Sequence, residues 1–200
     1  MGGVMSSITI SGDTSGSVIL QAPAVAGSTT LTLPATSGTV LTSANTFANS
    51  GGPAFSAYYN GTSTAISSST WTKVPINTKD FDTNSNYDTS TYRFTPTVAG
   101  YYQINGTVVA QNGSNSGQCY LAIYKNGSLY KSNYFYMISG NGFFINQNQI
   151  VSMNGSTDYL ELYFYTNTTS VSIYGTTYAS LAPGAGAVGC YFSGAMVRGA

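Results

Sequence analysis

The stretch FDTNSNYDTSTYRFTPTVAGYYQI, residues 81–104, decides how this chain is read. Its first half alternates Asp and Asn with small polar residues; past Pro96 and Gly100 it becomes an apolar alternation. From Ala99 to Gln111, Tyr102, Ile104, Val108 and Ala110 are set against Tyr101, Gln103, Asn105 and Thr107, the period of a half-buried strand. Residues 159–165 repeat the pattern, with Leu160, Leu162 and Phe164 against Tyr159, Glu161, Tyr163 and Tyr165. Asn-Gly pairs at 60–61, 105–106, 112–113, 126–127, 141–142 and 154–155 are turn signals, several of them expected to close hairpins. Many short strands at this spacing predict an all-β antiparallel sandwich or jelly roll, with no helix of useful length.

Composition points the same way. Charged residues make up 6% of the chain, His is absent and the formal net charge is zero. Strong helix formers are scarce, while Tyr, Thr, Val and Phe suit a pleated surface. Disordered chains are poor in aromatics and rich in net charge, whereas aromatics here reach 14%, so the chain is expected to fold. The six basic residues, Lys73, Lys79, Arg93, Lys125, Lys131 and Arg198, are scattered, which argues against nucleic acid as a partner. No apolar run approaches the roughly 20 residues of a membrane helix, so membrane insertion is not expected.

Catalysis has little raw material. Without His, and with a single Glu, no base poised near neutrality is visible, and abundant Ser and Thr lack an adjacent activating group. The chain is therefore read as non-enzymatic, with no cofactor. Asp82-x-Asn84-x-Asn86-x-Asp88 offers alternating hard oxygens that calcium accepts. It lacks the Gly at the sixth loop position, and Arg93 stands where the distal Glu of a helix-loop-helix calcium site belongs, so a purely structural loop is the competing reading. Cys119 and Cys190 lie in strand-like segments, as buried thiols or as a disulfide between neighbouring strands. Asn-Gly-Ser/Thr triplets match the glycan acceptor pattern, but each is also a turn signal.

Several separated fragments stand in order in the C-terminal part: Asn86-Tyr87-Asp88, Phe94-Thr95-Pro96-x-x-Ala99-Gly100-Tyr101-Tyr102, Lys125-Asn126-Gly127 and Tyr191-Phe192-Ser193-Gly194. Together they resemble the globular head of complement 1q and its tumour-necrosis-factor-like relatives, over roughly residues 54–200. That resemblance implies a ten-strand jelly roll working as a tight homotrimer, with aromatic residues packed around the threefold axis. Tyr134, Tyr136, Tyr159, Tyr163 and Tyr165 are the expected interface residues; ligand stacking or ordinary core are the alternatives.

Composition shifts near residue 45. Residues 1–44 carry short apolar alternations at Val18-Ile19-Leu20, Leu31-Thr32-Leu33 and Val40-Leu41, punctuated by Gly and Pro. Strands so short need help from other chains to bury a core. Gly12-Asp13-Thr14-x-Gly16, Ala22-Pro23-Ala24-Val25-Ala26-Gly27, Thr30-Leu31-Thr32-Leu33-Pro34 and Gly38-Thr39-Val40-Leu41 resemble β modules of bacteriophage tail fibres and other virion proteins. That resemblance implies a β anchor to the virion, with Val18, Leu20, Leu31, Leu33, Val40 and Leu41 as docking residues; the alternative is a tail with no partner. Residues 45–53 read as a linker and 54–200 as the knob.

The expected function is a bacteriophage structural protein on the virion surface, made in the host cytoplasm, since the N-terminus lacks the pattern of a signal peptide. A capsid decoration (cement) protein docked on the major capsid protein comes first, because no repeated shaft precedes the knob. A short tail fibre or fibre tip on the tail baseplate comes second, and a secreted tumour-necrosis-factor-like ligand third. Small uncharged loops at Asn112–Gly117, Ser139–Gly142 and Thr166–Ser170 suit weak, multivalent contact with host-surface glycans.

Overall fold

The computed structural model describes residues 7–21, 52–113, 115–175 and 189–200. The chain divides into two units, Met1–Ala44 and Asn45–Ala200.

In the first unit, β1 (Ser7–Ser11) and β2 (Ser17–Gln21) form an antiparallel hairpin with Ile8 opposite Leu20 and Ile10 opposite Val18. The amide of Gly12 donates to the carbonyl of Gly16 at 2.9 Å, and Gly16 takes a left-handed conformation (φ 80°) that glycine adopts without a Cβ clash. Ile8, Ile10 and Ile19 are all exposed.

The second unit is a sandwich of two antiparallel sheets. The six-stranded sheet runs β11 (Ser128–Met137), β10 (Gly117–Lys125), β13 (Leu160–Thr166), β8 (Arg93–Phe94) and β7 (Tyr87–Asp88), with β5 (Thr72–Lys73) also pairing β13. The seven-stranded sheet runs β4 (Ser63–Ile66), β14 (Val171–Tyr174), β9 (Gly100–Asn112), β15 (Tyr191–Gly199), β3 (Ala54–Tyr58) and β6 (Thr78–Asp82), with β12 (Gly142–Met153) on the other side of β9. The all-β jelly-roll expectation holds. Strands outnumber the expected ten because β5, β7 and β8 are two-residue pieces.

Alternation decides which face is inside. Tyr102, Ile104, Val108 and Ala110 of β9 point inward, as do Leu160, Leu162 and Phe164 of β13, Cys119, Leu121 and Ile123 of β10, and Phe143, Ile145, Val151 and Met153 of β12. All are buried, and each large apolar side chain contributes roughly 1.5–3 kcal/mol. At one end the core is aromatic: Phe55 stacks on Phe94 at 4.2 Å and on Tyr87 at 5.0 Å, with Phe192 edge-on at 5.2 Å. The buried Tyr87 hydroxyl donates to the carbonyl of Ile76 at 2.9 Å, so its polar end is satisfied.

One sequence expectation needs correction. Asn105-Gly106 is no turn; it lies inside β9, where Asn105 pairs with Asn148. A Cβ on Gly106 would come 2.5 Å from Cδ1 of Leu162, so glycine is there to let the facing sheet approach. Of the two readings left open for the cysteines, the structure has buried thiols. Cys119 sits in β10 of one sheet and Cys190 precedes β15 of the other; both are free and buried. By contrast Asn126-Gly127 does close the β10–β11 hairpin, with φ of 53° and 77° at the two central positions of a tight turn.

Candidate functional site

The outward face of the six-stranded sheet carries a group of aromatic rings. β10 turns Tyr120 and Tyr124 outward, β13 Tyr163 and Tyr165, and β11 Tyr134, while Trp71 precedes β5. Tyr124 stacks on Tyr163 at 4.1 Å. Trp71 meets Tyr165 at 5.3 Å, Tyr124 at 5.7 Å and Tyr120 at 6.3 Å, and Tyr120 meets Tyr134 at 5.3 Å. Partial burial among these rings pushes the phenols of Tyr124 and Tyr163 above their ordinary value. Trp71, Tyr120 and Tyr165 are tilted to one another rather than coplanar, and with Gln118 and Ser132 they wall a shallow pocket of about 360 Å³.

Trp71 is held rather than floating. On its N-terminal side the amide of Ser69 donates to the carbonyl of Thr166 at 2.7 Å. On the other side, the amide of Val74 donates to the carbonyl of Leu162 at 2.9 Å. Sequence reasoning missed this residue. The signal was there: one Trp in the whole chain, set in the polar run SSSTWTK, where no apolar alternation claims it for a core.

Beside the rings lies the chain's one Glu. Glu161 is 2% exposed, and one carboxylate oxygen accepts from Nζ of Lys73 at 2.6 Å and from Nη2 and Nε of Arg93 at 2.9 and 3.1 Å. The Arg93 guanidinium lies over the ring of Tyr159 at 3.6 Å. Two cations and an anion are thereby consumed in a structural clasp among β5, β8 and β13.

The seven-stranded sheet presents a different outward face. Tyr101, Ile150, Phe144, Val197, Tyr191 and Phe81 are exposed there, at 40% or more of their surface. Between them run Gln103, Asn105, Ser56 and Ser193, uncharged and partly buried. Tyr101, Ile150 and Val197 border a hollow of about 540 Å³ near the C-terminal residues. The neighbouring edge strand β11 exposes every residue except Met137, including Tyr130, Tyr134, Phe135 and Tyr136.

Of the five tyrosines expected at a trimer interface, Tyr134 and Tyr136 thus lie on this open edge. Tyr163 and Tyr165 face outward from the six-stranded sheet in intrachain aromatic contacts, and Tyr159 is engaged by Arg93. Asp82, Asn84, Asn86 and Asp88 have local uses. Asp82 accepts from the amides of Asn86 and Tyr87 at 3.0 and 2.9 Å and from Lys79 at 3.3 Å; Asn84 accepts from the hydroxyl of Thr83 at 2.8 Å. Asn86 accepts from the amide of Thr97 at 3.3 Å, and Asp88 from Ser90 and Thr91 at 2.7 and 2.8 Å. Among the described residues no three acidic or Cys side chains gather as a metal site. Of the anchor residues, Val18 and Leu20 lie on β2, though their side chains are outside what is described, and Leu31, Leu33, Val40 and Leu41 lie outside the described residues altogether.

No protein-family model matches the chain, and no curated protein matches its sequence. Solved structures do match its shape. The globular domain of a zebrafish complement 1qA protein is 15% identical, covering 74% of this chain and 99% of that one, with a TM-score of 0.53. The Eiger tumour-necrosis factor of S. frugiperda is 6% identical, covering 75% of this chain and 94% of that one, with a TM-score of 0.50. The described knob therefore has the jelly-roll fold of complement 1q and tumour-necrosis-factor domains.

Proposed function

We propose that this chain is a non-enzymatic structural and binding protein of a bacteriophage virion: a homotrimer of jelly-roll knobs, fixed to the particle by its N-terminal unit and serving as capsid decoration. The observation that carries the assembly is the outward face of the seven-stranded sheet. Tyr101, Ile150 and Val197 lie exposed together, and contiguous apolar patches of this kind mark interfaces. The β11 edge, whose residues Leu129, Tyr130 and Phe135 are exposed, is a second place on the knob open to pairing. A face on one copy meeting an edge on the next is a head-to-tail contact, which closes into a ring when the rotation permits. This moves the interface from the outward face of the six-stranded sheet, where Tyr134, Tyr136, Tyr163 and Tyr165 project, to the other sheet and the β11 edge.

The virion placement is supported by the sequence of residues 12–41 and by the β1–β2 hairpin. An isolated two-stranded hairpin is marginal in water, and Ile8, Ile10 and Ile19 are left for a partner to cover. The partner in this reading is the major capsid protein. The knobs' outward surfaces then face the host, whose surface glycans are the matching chemistry for a shell with so few charges. One observation favours a second reading, a short tail fibre or fibre tip docked on the baseplate. The Trp71 pocket is a more specific feature than a purely cementing knob requires. Gel analysis of purified particles separates the two: many copies per particle for decoration, a few for a fibre. Protein lacking residues 1–44 should still trimerise yet leave particles undecorated; normal incorporation without that unit would remove the anchor from the account.

A further inference from the structure

We propose that the pocket walled by Trp71, Tyr120 and Tyr165 is a carbohydrate subsite that takes one uncharged sugar ring of a glycan. This deepens the host-contact part of the function proposed above, and it rests on this face staying open to solvent in the trimer. It also relocates that contact, because the loops singled out by sequence do not wall this pocket.

Five observations point to a sugar. The walls are aromatic and tilted, which offers a flat apolar surface to the C–H face of a pyranose and an edge to its rim. The lining residues also carry polar groups: the Gln118 amide, the Ser132 hydroxyl and the phenols of Tyr120 and Tyr165. Among the described residues no protein group takes up any of these side-chain donors and acceptors, so they are available to ligand hydroxyls. Among the described residues no carboxylate, ammonium or guanidinium lines the pocket, so neutral hydroxyls can be bound without desolvating a charge, whereas an anionic sugar would find no counter-ion there. Finally the walls stand on β10, β11 and β13, with Trp71 pinned on both sides by the Ser69 and Val74 amides, so little ordering is needed on binding. A volume of about 360 Å³ lies at the small end of ligand sites, which fits one ring of a chain that continues into solvent.

The chain holds one Trp, so its fluorescence reports this pocket alone. The full chain is titrated with neutral di- to tetrasaccharides built from glucose, galactose, N-acetylglucosamine and rhamnose, each to millimolar concentration, while sedimentation of the same samples follows the trimer. At least one saccharide should shift the emission saturably, with chelator making no difference. Gln118→Ala and Tyr165→Ser should each weaken binding by about five- to tenfold. Trp71→Phe, which keeps a ring in place, should weaken calorimetric binding while the protein stays folded. An unresponsive Trp71 across the panel, or unchanged affinity in Gln118→Ala and Tyr165→Ser, overturns the subsite. Should Tyr165→Ser or Trp71→Phe dissociate the trimer, this face is a subunit contact and the subsite falls. A monomer that still binds sugar would instead sink the trimer reading and leave the subsite standing.

Discussion

Glu161 lies between Lys73 and Arg93, one oxygen serving both cations with 2% of the side chain exposed. Removing an anion so enclosed leaves two cations facing each other, partly relieved because Lys73 and Arg93 are about a third exposed. Glu161→Gln should therefore cost about 2–3 kcal/mol, read as a lower urea midpoint at unchanged slope; a change of a few tenths would show the clasp to be dispensable. The thiols give a second residue-scale test. Burial pushes Cys119 and Cys190 up to about 12, so neither should react with a thiol reagent at pH 8 until the chain unfolds. Prompt labelling of native protein would contradict this. For the carboxylates the sign follows from depressed values. Burial raises Asp82, but the amides of Tyr87 and Asn86 and the ammonium of Lys79 outweigh it; Lys125, Asn126 and Asn154 do the same for Asp158; Ser90 and Thr91 hold Asp88 at about 2. Groups lowered by folding stabilise above their unfolded values and lose that contribution as pH falls through the folded ones. With no His to titrate, the urea midpoint should be flat from about pH 5 to pH 8 and fall below about pH 4, less steeply in Asp82→Asn. A step near pH 6 would be incompatible with it. The sequence showed that Glu161 was the lone Glu, but not that Lys73 and Arg93, 88 and 68 residues away, would enclose it.

At the scale of elements, β9 and β13 were legible because both obey a strict two-residue alternation, with Tyr102, Ile104, Leu160, Leu162 and Phe164 inside as read. Asn-Gly as a turn signal succeeded at Asn126-Gly127 and failed at Asn105-Gly106. A dipeptide cannot reveal that Leu162 of the opposing sheet needs the space a side chain would take. Leu162 is 1% exposed and has nowhere to retreat. Gly106→Val should accordingly destabilise the knob by about 1–3 kcal/mol through overpacking, whereas a turn glycine there would tolerate it poorly only for backbone reasons. Pairing the change with Leu162→Ala separates the two: partial rescue by the smaller partner is expected, and none would point to the backbone. The candidate site was half legible for a similar reason. Sequence spacing put Tyr163 and Tyr165 on one face, but it could not bring Trp71, more than 90 positions earlier, beside them; β5 pairing with β13 does that.

On the scale of the whole molecule, the knob ties Lys73, Lys79, Arg93 and Lys125 into intrachain pairs with Glu161, Asp82 and Asp158, and its outer surface is mostly apolar and amide, with Asp80, Asp88, Lys131 and Arg198 exposed. Assembly by such surface gains little from ions and loses little to salt. Ile150, 55% exposed on the edge strand β12 of the seven-stranded sheet and beside Tyr101 and Val197, is the most sensitive place to test this. A carboxylate there would have to be desolvated on association, a cost of several kcal/mol that the exposed Arg198 on the same hollow offsets only in part. Sedimentation velocity of the full chain at micromolar concentration, in low and in molar salt, beside Ile150→Asp, is the most direct measurement. Three chains per particle in both salts, and a folded monomer for Ile150→Asp, is the predicted result; a monomeric parent chain, a trimer that salt takes apart, or an Ile150→Asp trimer of undiminished stability would contradict it.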